Sequence, residues 1–176
     1  DTGANYLRDK YSFATWSIAH SLKRQVGSIY KLSVQSLEQE KDTPDPRLYG
    51  RTTREAYIAH GQLMRAFHGE DFWINRLIQD IKISGVEGKD IHVISDLGFQ
   101  VELDRLIEEF GHTNILLIEL NRLGHDYRKD SRSPVWRFHS QNLSLTVRKS
   151  VVNNNGGLEE YFEALEEVLT TWINIP

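Results

Sequence analysis

Two groups of side chains in this sequence could do chemistry on a charged ligand. One is an aspartate at the end of an apolar run; the other is a set of arginines interleaved with aromatics. The run is Ile91–Ser95, "IHVIS", rich in β-branched residues, and it reads as a buried strand. Asp96 follows it directly. A carboxylate at the carboxyl edge of a sheet can hold a divalent cation through water, or take a proton from an attacking hydroxyl. The alternative is a cap for the helix expected over Phe99–Phe110, where Glu102 lies about one and a half turns in and either contacts a ligand or has a solvated or structural role. Arginine forks match phosphate oxygens, and Arg51 and Arg54 stand at the start of a helix expected over Thr53–Phe67. Arg54 is the choice for an acceptor phosphate or backbone, against a surface ion pair with Glu55 or Glu70. His60 beside Gly61-Gln62 is a candidate for lining the same pocket. Trp73, next to Phe72, either stacks on a base or belongs to the core. The segment Arg122–His139 gathers Arg122, His125, Arg128, Lys129, Arg132, Arg137 and His139 among Tyr127, Trp136 and Phe138. That mixture suits a nucleic-acid strand, its bases stacked and its backbone tracked by charge, or else a solvated loop.

The elements that must position these residues alternate. Thr2–Lys10 reads as part of a helix and Tyr11–Thr15 as a short strand. Ser17–Leu32 carries Ile18, Leu22, Val26, Ile29 and Tyr30 at helical spacing. Thr52 or Thr53 is the N-cap of the next helix, and a further helix is expected over Asp71–Ile83. Gly111 stops the helix that begins at Phe99. Asn114–Leu120, "NILLIEL", is a second buried strand, and Leu143–Val152 holds one or two more. Leu158–Ile173 closes the chain as an amphipathic helix with acids near its start, where the helix dipole favours them. Near-continuous apolar strands between helices predict an α/β fold whose mostly parallel sheet is covered on both faces, with ligands at the carboxyl ends of the strands. The two-proline stretch Lys41–Gly50 and the polar stretch Leu123–Pro134 are the expected flexible segments.

Composition narrows the classes. With 21 basic against 25 acidic residues and a formal charge of −4, the whole chain is not built to envelop nucleic acid, though a local basic patch remains open. No cysteine means no disulfide, thiolate metal site or cysteine nucleophile. The seven histidines form no His-x-x-x-His pair. No apolar run approaches a membrane span. Gly85–Asp90, "GVEGKD", resembles a phosphate loop only superficially. It has two residues where four should separate glycine from Gly-Lys, and it leads from helix into strand rather than from strand into helix. It reads as a solvated turn.

The order of the remaining motifs resembles the deoxynucleoside monophosphate kinase family of P-loop kinases found in bacteriophages. The segments that carry the resemblance are "DTGANYLRDKYSFATWSIAHSLKRQV", "TTREAYIAHGQLMRAFHGEDFWINRLIQDI", "HVISDLGFQVELDRL", "ILLIELNR" and "VVNNNGGLEEYFEALEEVL". The resemblance implies a three-layer P-loop kinase fold on a single domain over residues 1–176, with 122–139 as a lid-like insertion. Asp1 and Thr2 would follow the phosphate-loop lysine and meet Mg²⁺ or cap their helix. Asp96 would serve catalysis and the metal. Arg122, Arg128 and Arg132 would come from the lid to ATP, with Arg128 and Arg132 at the transferring group. Arg51, Arg54, His60, Trp73 and Glu102 would bind the acceptor. The chemistry implied is transfer of the γ-phosphoryl of ATP to a deoxynucleotide, by a cytoplasmic protein (host cytoplasm if phage-encoded), with a homodimer as one assembly it allows. Gly98 stands where the family has arginine, and "GHDYRKDSRSPVW" replaces a His-x-Ser/Thr-Glu segment. Both positions face substrate in the family, and the absent His-x-Ser/Thr-Glu segment with the basic, aromatic 122–139 segment suits a second acceptor, a hydroxymethylated pyrimidine in DNA. A further N-terminal piece of roughly 15–20 residues, a short strand plus the phosphate loop, is expected ahead of Asp1. Without it, the scaffold would be a non-catalytic nucleotide- or partner-binding protein.

Overall fold

A computed structural model describes residues 2–84, 91–124 and 147–173. The chain gathers into two compact units, residues 14–96 and residues 1–13 with 97–176. Asp1, the Gly85–Asp90 turn and most of the basic segment, including Arg128 and Arg132, lie outside the described residues. The architecture is mixed α/β, with helices and short parallel sheets. No helix among the described residues is long and apolar enough to cross a membrane.

In the unit of residues 14–96, β1 (Ala14–Trp16) runs parallel to β4 (His92–Ile94), with Trp16 opposite Ile94. Parallel pairing brings both carboxyl ends to one edge. Directly after β1 comes α2 (Ala19–Tyr30), which ends at Lys31 in the left-handed conformation (φ 56°). Leu32 then folds back to donate to the Gly27 carbonyl (2.8 Å). A Cβ at Gly27 would meet the Leu32 carbonyl oxygen at 2.7 Å, so this close return requires glycine. A short helix, α3 (Val34–Gln39), is capped by Ser33, whose hydroxyl accepts from the Ser36 N–H. The antiparallel pair β2 (Pro44–Asp45) and β3 (Arg51–Thr52) follows, its strands joined through a 3₁₀ turn at Pro46–Leu48. Then come α4 (Thr53–His68) and α5 (Phe72–Ile83). Val26, Leu37, Leu48 and Ala56 form one core, with Leu22, Tyr30, Leu32 and Tyr57 packed against it. The buried face of α5 presents Trp73, Ile74, Leu77 and Ile78, at the helical spacing seen in the sequence.

In the other unit, α1 (Thr2–Tyr11) is held to α7 (Leu158–Trp172) by a flat stack of Tyr6 on Phe162, with ring centroids 4.0 Å apart. Tyr6 and Lys10 both donate to the Glu166 carboxylate. Those bonds hold the Glu166 carboxyl below the usual carboxylate range. β5 (Leu116–Asn121) and β6 (Arg148–Asn153) run parallel in unbroken register from Leu116↔Arg148 to Asn121↔Asn153. Val152 sits with Tyr161 and Leu165 in the core beneath them. In the chain, α6 (Gln100–Phe110) precedes β5 and is stopped by Gly111 at φ 81°.

Three sequence expectations need correction. The strands "HVI" and "LLIELN" are half-buried or exposed along their length instead of fully buried. Lys41–Gly50 contains an ordered turn: Leu48, 1% exposed, inserts into the Val26–Leu37 core. Asp45 caps the turn at the Arg47 N–H and grips the Arg47 guanidinium through both carboxylate oxygens. One leucine in a polar stretch has no periodicity, so this anchor left no pattern to read. The helix α3 lay in a stretch assigned to no element, being too short for a convincing repeat.

Candidate functional site

The carboxyl edge of β1 and β4 is organised by Asp96. Its Oδ1 accepts from the Ile18 N–H at 2.7 Å, and its Oδ2 accepts from the Ser17 hydroxyl at 2.7 Å and the Ala19 N–H at 3.0 Å. These are donors at the start of α2, where unpaired N–H groups and the positive end of the helix dipole favour an anion. Asp96 therefore caps α2, the helix after β1. The cap expected of it from sequence was on α6, which it does not make among the bonds described. It ties the end of β4 to the β1–α2 junction, from a residue 79 positions away in the chain. An ionised carboxylate offers about four lone-pair directions, and these donors occupy three of them.

The second constellation is the start of α4. Thr52 accepts from the Glu55 N–H (3.1 Å), and the Glu55 carboxylate accepts from the Thr52 N–H (2.8 Å), a reciprocal capping box. Those bonds hold the Glu55 carboxyl below its ordinary range, with Arg51 adding through space. Arg54 is exposed and grips Asp42 through Nε and Nη2. That pairing lowers the Asp42 carboxyl. The ion pair weighed for Arg54 in the sequence thus exists, with Asp42 in place of Glu55 or Glu70. Arg51, also exposed, stands at the same helix end.

His60 and Trp73 meet on α4 and α5. A ring nitrogen of His60, Nε2, lies 3.0 Å from Gln25 Oε1, and burial pushes the imidazole pKa down. With the amide oxygen as acceptor, Nε2 is the donor in this bond. Trp73 is 3% exposed, its indole N–H donating to the Gly61 carbonyl at 3.3 Å. In this arrangement its ring is part of the core, 6.2 Å from the His60 ring. The exposed aromatics nearby are Phe67 and His68, with His68 stacked on Phe72 at 4.7 Å.

In the unit containing α6, Glu102 is 6% exposed and accepts from the Gly98 and Phe99 N–H groups at 2.8 and 2.9 Å. Of the roles weighed for it, the structure shows a bond to the start of its own helix. Thr2 opens α1 with an exposed side chain, and Arg122 is exposed just past β5. No three His, Asp or Glu side chains among the described residues come together in a way that could hold a metal ion. Sequence reasoning missed Ser17, Gln25 and Asp42. Their roles are set by partners distant in the chain, and only the serine two residues before α2 carried a local hint as a capping type.

No protein-family model matches the chain, and no solved structure matches it significantly. A curated protein of Acanthamoeba polyphaga mimivirus, provisionally named a deoxynucleotide monophosphate kinase, is 28% identical over 185 residues. The alignment covers 93% of this chain and 86% of the relative. The similarity supports a kinase-like relationship.

Proposed function

We propose that this chain is a phosphotransferase of the deoxynucleoside monophosphate kinase type, moving the γ-phosphoryl of ATP to a deoxynucleotide. The observation that carries the reading is the match to the mimivirus protein, which runs along nearly the whole chain. The order of motifs in the sequence agrees with it. So does an aspartate at the carboxyl edge of a parallel strand pair, where α/β proteins bind ligands. The proposed frame is a single three-layer P-loop-like domain acting in the cytoplasm.

In this reading the start of α4 receives the acceptor phosphate. Arg51 and Arg54 supply the forks, and Asp42 holds the Arg54 guanidinium ready. His60, fixed by Gln25, presents its imidazole to the acceptor side. Trp73 supports that wall by pinning α5 to the Gly61 carbonyl, and Glu102 orders the start of α6. Asp96 fixes the β4–α2 junction and keeps a lone-pair direction for the acceptor hydroxyl or a bound water. Arg122, with Arg128 and Arg132, supplies positive charge to the donor phosphates. Phosphoryl transfer asks mainly for such positioning and charge. Mg²⁺ usually enters such sites with substrate phosphates and needs one or two protein carboxylates. Asp1, Thr2 and Asp96 are the residues that would hold it, and the ion would neutralise phosphate charge.

The test is ADP release by the full-length protein, with ATP and Mg²⁺, measured against each deoxynucleoside monophosphate. Acceptor-dependent ADP release, with a raised acceptor KM in Arg54→Gln, supports the reading. ADP release only with DNA containing hydroxymethylated pyrimidine moves the acceptor into DNA. No release with any acceptor rejects the kinase and favours a binding protein on a kinase scaffold.

A further inference from the structure

Tyr49 is 89% exposed, more than any other large apolar side chain among the described residues. Its backbone is left-handed, φ 58° and ψ 37°, a conformation that suits glycine and is an outlier for a bulky residue. Gly50 follows at φ 78°. The turn that displays Tyr49 is stapled from several sides. Leu48, its neighbour, is 1% exposed in the core. The Tyr49 N–H donates to the Pro46 carbonyl and the Gly50 N–H to the Asp45 carbonyl, at 3.1 and 3.0 Å. Asp45 is clamped to Arg47 at 2.7 Å, and β2 pairs with β3 through Pro44↔Thr52 and Asp45↔Arg51. A rigid turn thus buries one apolar residue and holds the next in solvent, at a backbone position where glycine would fit without strain. Outliers of this kind concentrate at ligand contacts.

The charges around the tip indicate the ligand. Its two acids are already matched, Asp45 by Arg47 and Asp42 by Arg54. Arg51, one glycine beyond Tyr49, is exposed and makes no hydrogen bond to a described side chain; it acts on Glu55 only through space. An open aromatic face beside an available guanidinium is the pair that recognises a base joined to a phosphate.

We infer that Tyr49 stacks on a nucleobase whose phosphate is met at Arg51, making the 45–51 turn a recognition tip on the acceptor side. This rests on reading the start of α4 as the acceptor-phosphate site. The base comes either from a free deoxynucleoside monophosphate or from a nucleotide in single-stranded DNA.

The experiment uses the full-length protein and its Tyr49→Gly, Tyr49→Asn and Tyr49→Trp variants. Binding of deoxynucleoside monophosphates is measured by calorimetry, and binding of a fluorescein-labelled single-stranded 12-mer by anisotropy, alongside thermal unfolding. Glycine and asparagine both tolerate the left-handed backbone, so their thermal midpoints should equal or exceed the parent's. Their affinity should fall roughly tenfold, the size of one lost stacking contact, while Tyr49→Trp binds as well as the parent or better. A loss for the monophosphates assigns the base to a free nucleotide; a loss confined to the 12-mer assigns it to a strand. Unchanged binding of both probes in Tyr49→Gly overturns the inference, as does a midpoint several degrees lower, which would make the ring structural. Because binding is read without turnover, absent kinase activity would reject the phosphotransferase while leaving this contact measurable. An active kinase indifferent to Tyr49→Gly would reject only the contact.

Discussion

Replacing Asp96 by asparagine tests both its structural and its chemical role. The carboxylate accepts bonds from Ile18 N–H, Ala19 N–H and the Ser17 hydroxyl at 2.7–3.0 Å. Asparagine has one acceptor oxygen. If it faces Ile18, the new NH₂ group confronts the Ala19 N–H, and Ser17 must turn its hydroxyl to accept. If the amide is flipped, the Ile18 N–H is the one left facing a donor. Either way one backbone bond at the start of α2 is lost, together with the negative charge at the helix's positive end. A lost N-cap bond costs about 1 kcal/mol, and the lost charge at a helix start a further ~0.3–1 kcal/mol. The expected loss is therefore about 1–2 kcal/mol in urea unfolding, with the fold kept by circular dichroism. Asp96→Ala, which abandons all three donors, should cost more, about 2–3 kcal/mol. Under the proposed activity, turnover in Asp96→Asn should fall roughly 100-fold, the lower range for a positioned acid–base group. A stability within ~0.5 kcal/mol of the parent would refute the cap. Parent-like turnover in the folded variant would remove Asp96 from the chemistry.

Other perturbations have equally definite outcomes. Glu102→Ala should cost about 2–4 kcal/mol in urea unfolding, because it strands the Gly98 and Phe99 N–H groups at a buried position; a loss below ~1 kcal/mol would show water replacing the carboxylate. Gly3→Ala should lower the thermal midpoint, since its Cβ would clash with the Tyr161 hydroxyl oxygen. Adding Tyr161→Phe should restore part of that loss, and no recovery would locate the strain elsewhere. Burial lowers the His60 pKa on folding, so the folded state binds its proton less readily than the unfolded chain. His60 then contributes stability above the unfolded imidazole pKa, about 6.5, and that contribution is lost as pH falls through the depressed folded value. The acid decline in thermal midpoint below about pH 6.5 should be shallower in His60→Gln; an unchanged slope would assign it to other groups.

The helices were legible because their signals are local. Thr52 stood as an N-cap type at the head of α4, and the structure adds its reciprocal partner Glu55 three residues on. Gly111 ends α6, and Glu159 and Glu160 lie in the first turn of α7. The apolar spacing of Phe72–Ile83 marked the face that α5 buries. What was hidden depends on distant partners. The link from Asp96 to Ser17 spans 79 residues, and His60 to Gln25 spans 35; neither follows from spacing along one helix. Trp73 at the head of an amphipathic helix reads equally well as core or platform until the Gly61 carbonyl captures its N–H. The 44–52 turn rests on one buried leucine and one Asp–Arg clamp, and its prolines suggested flexibility instead.

The phosphotransferase itself is tested most directly by incubating the full-length protein with Mg²⁺ and [γ-³²P]ATP in the presence of the four deoxynucleoside monophosphates. Products would be separated by thin-layer chromatography. The expected result is label in a deoxynucleoside diphosphate, diminished in Arg54→Gln and in Asp96→Asn. Label that remains in ATP, or moves only to inorganic phosphate at a rate independent of added acceptor, would contradict the assignment.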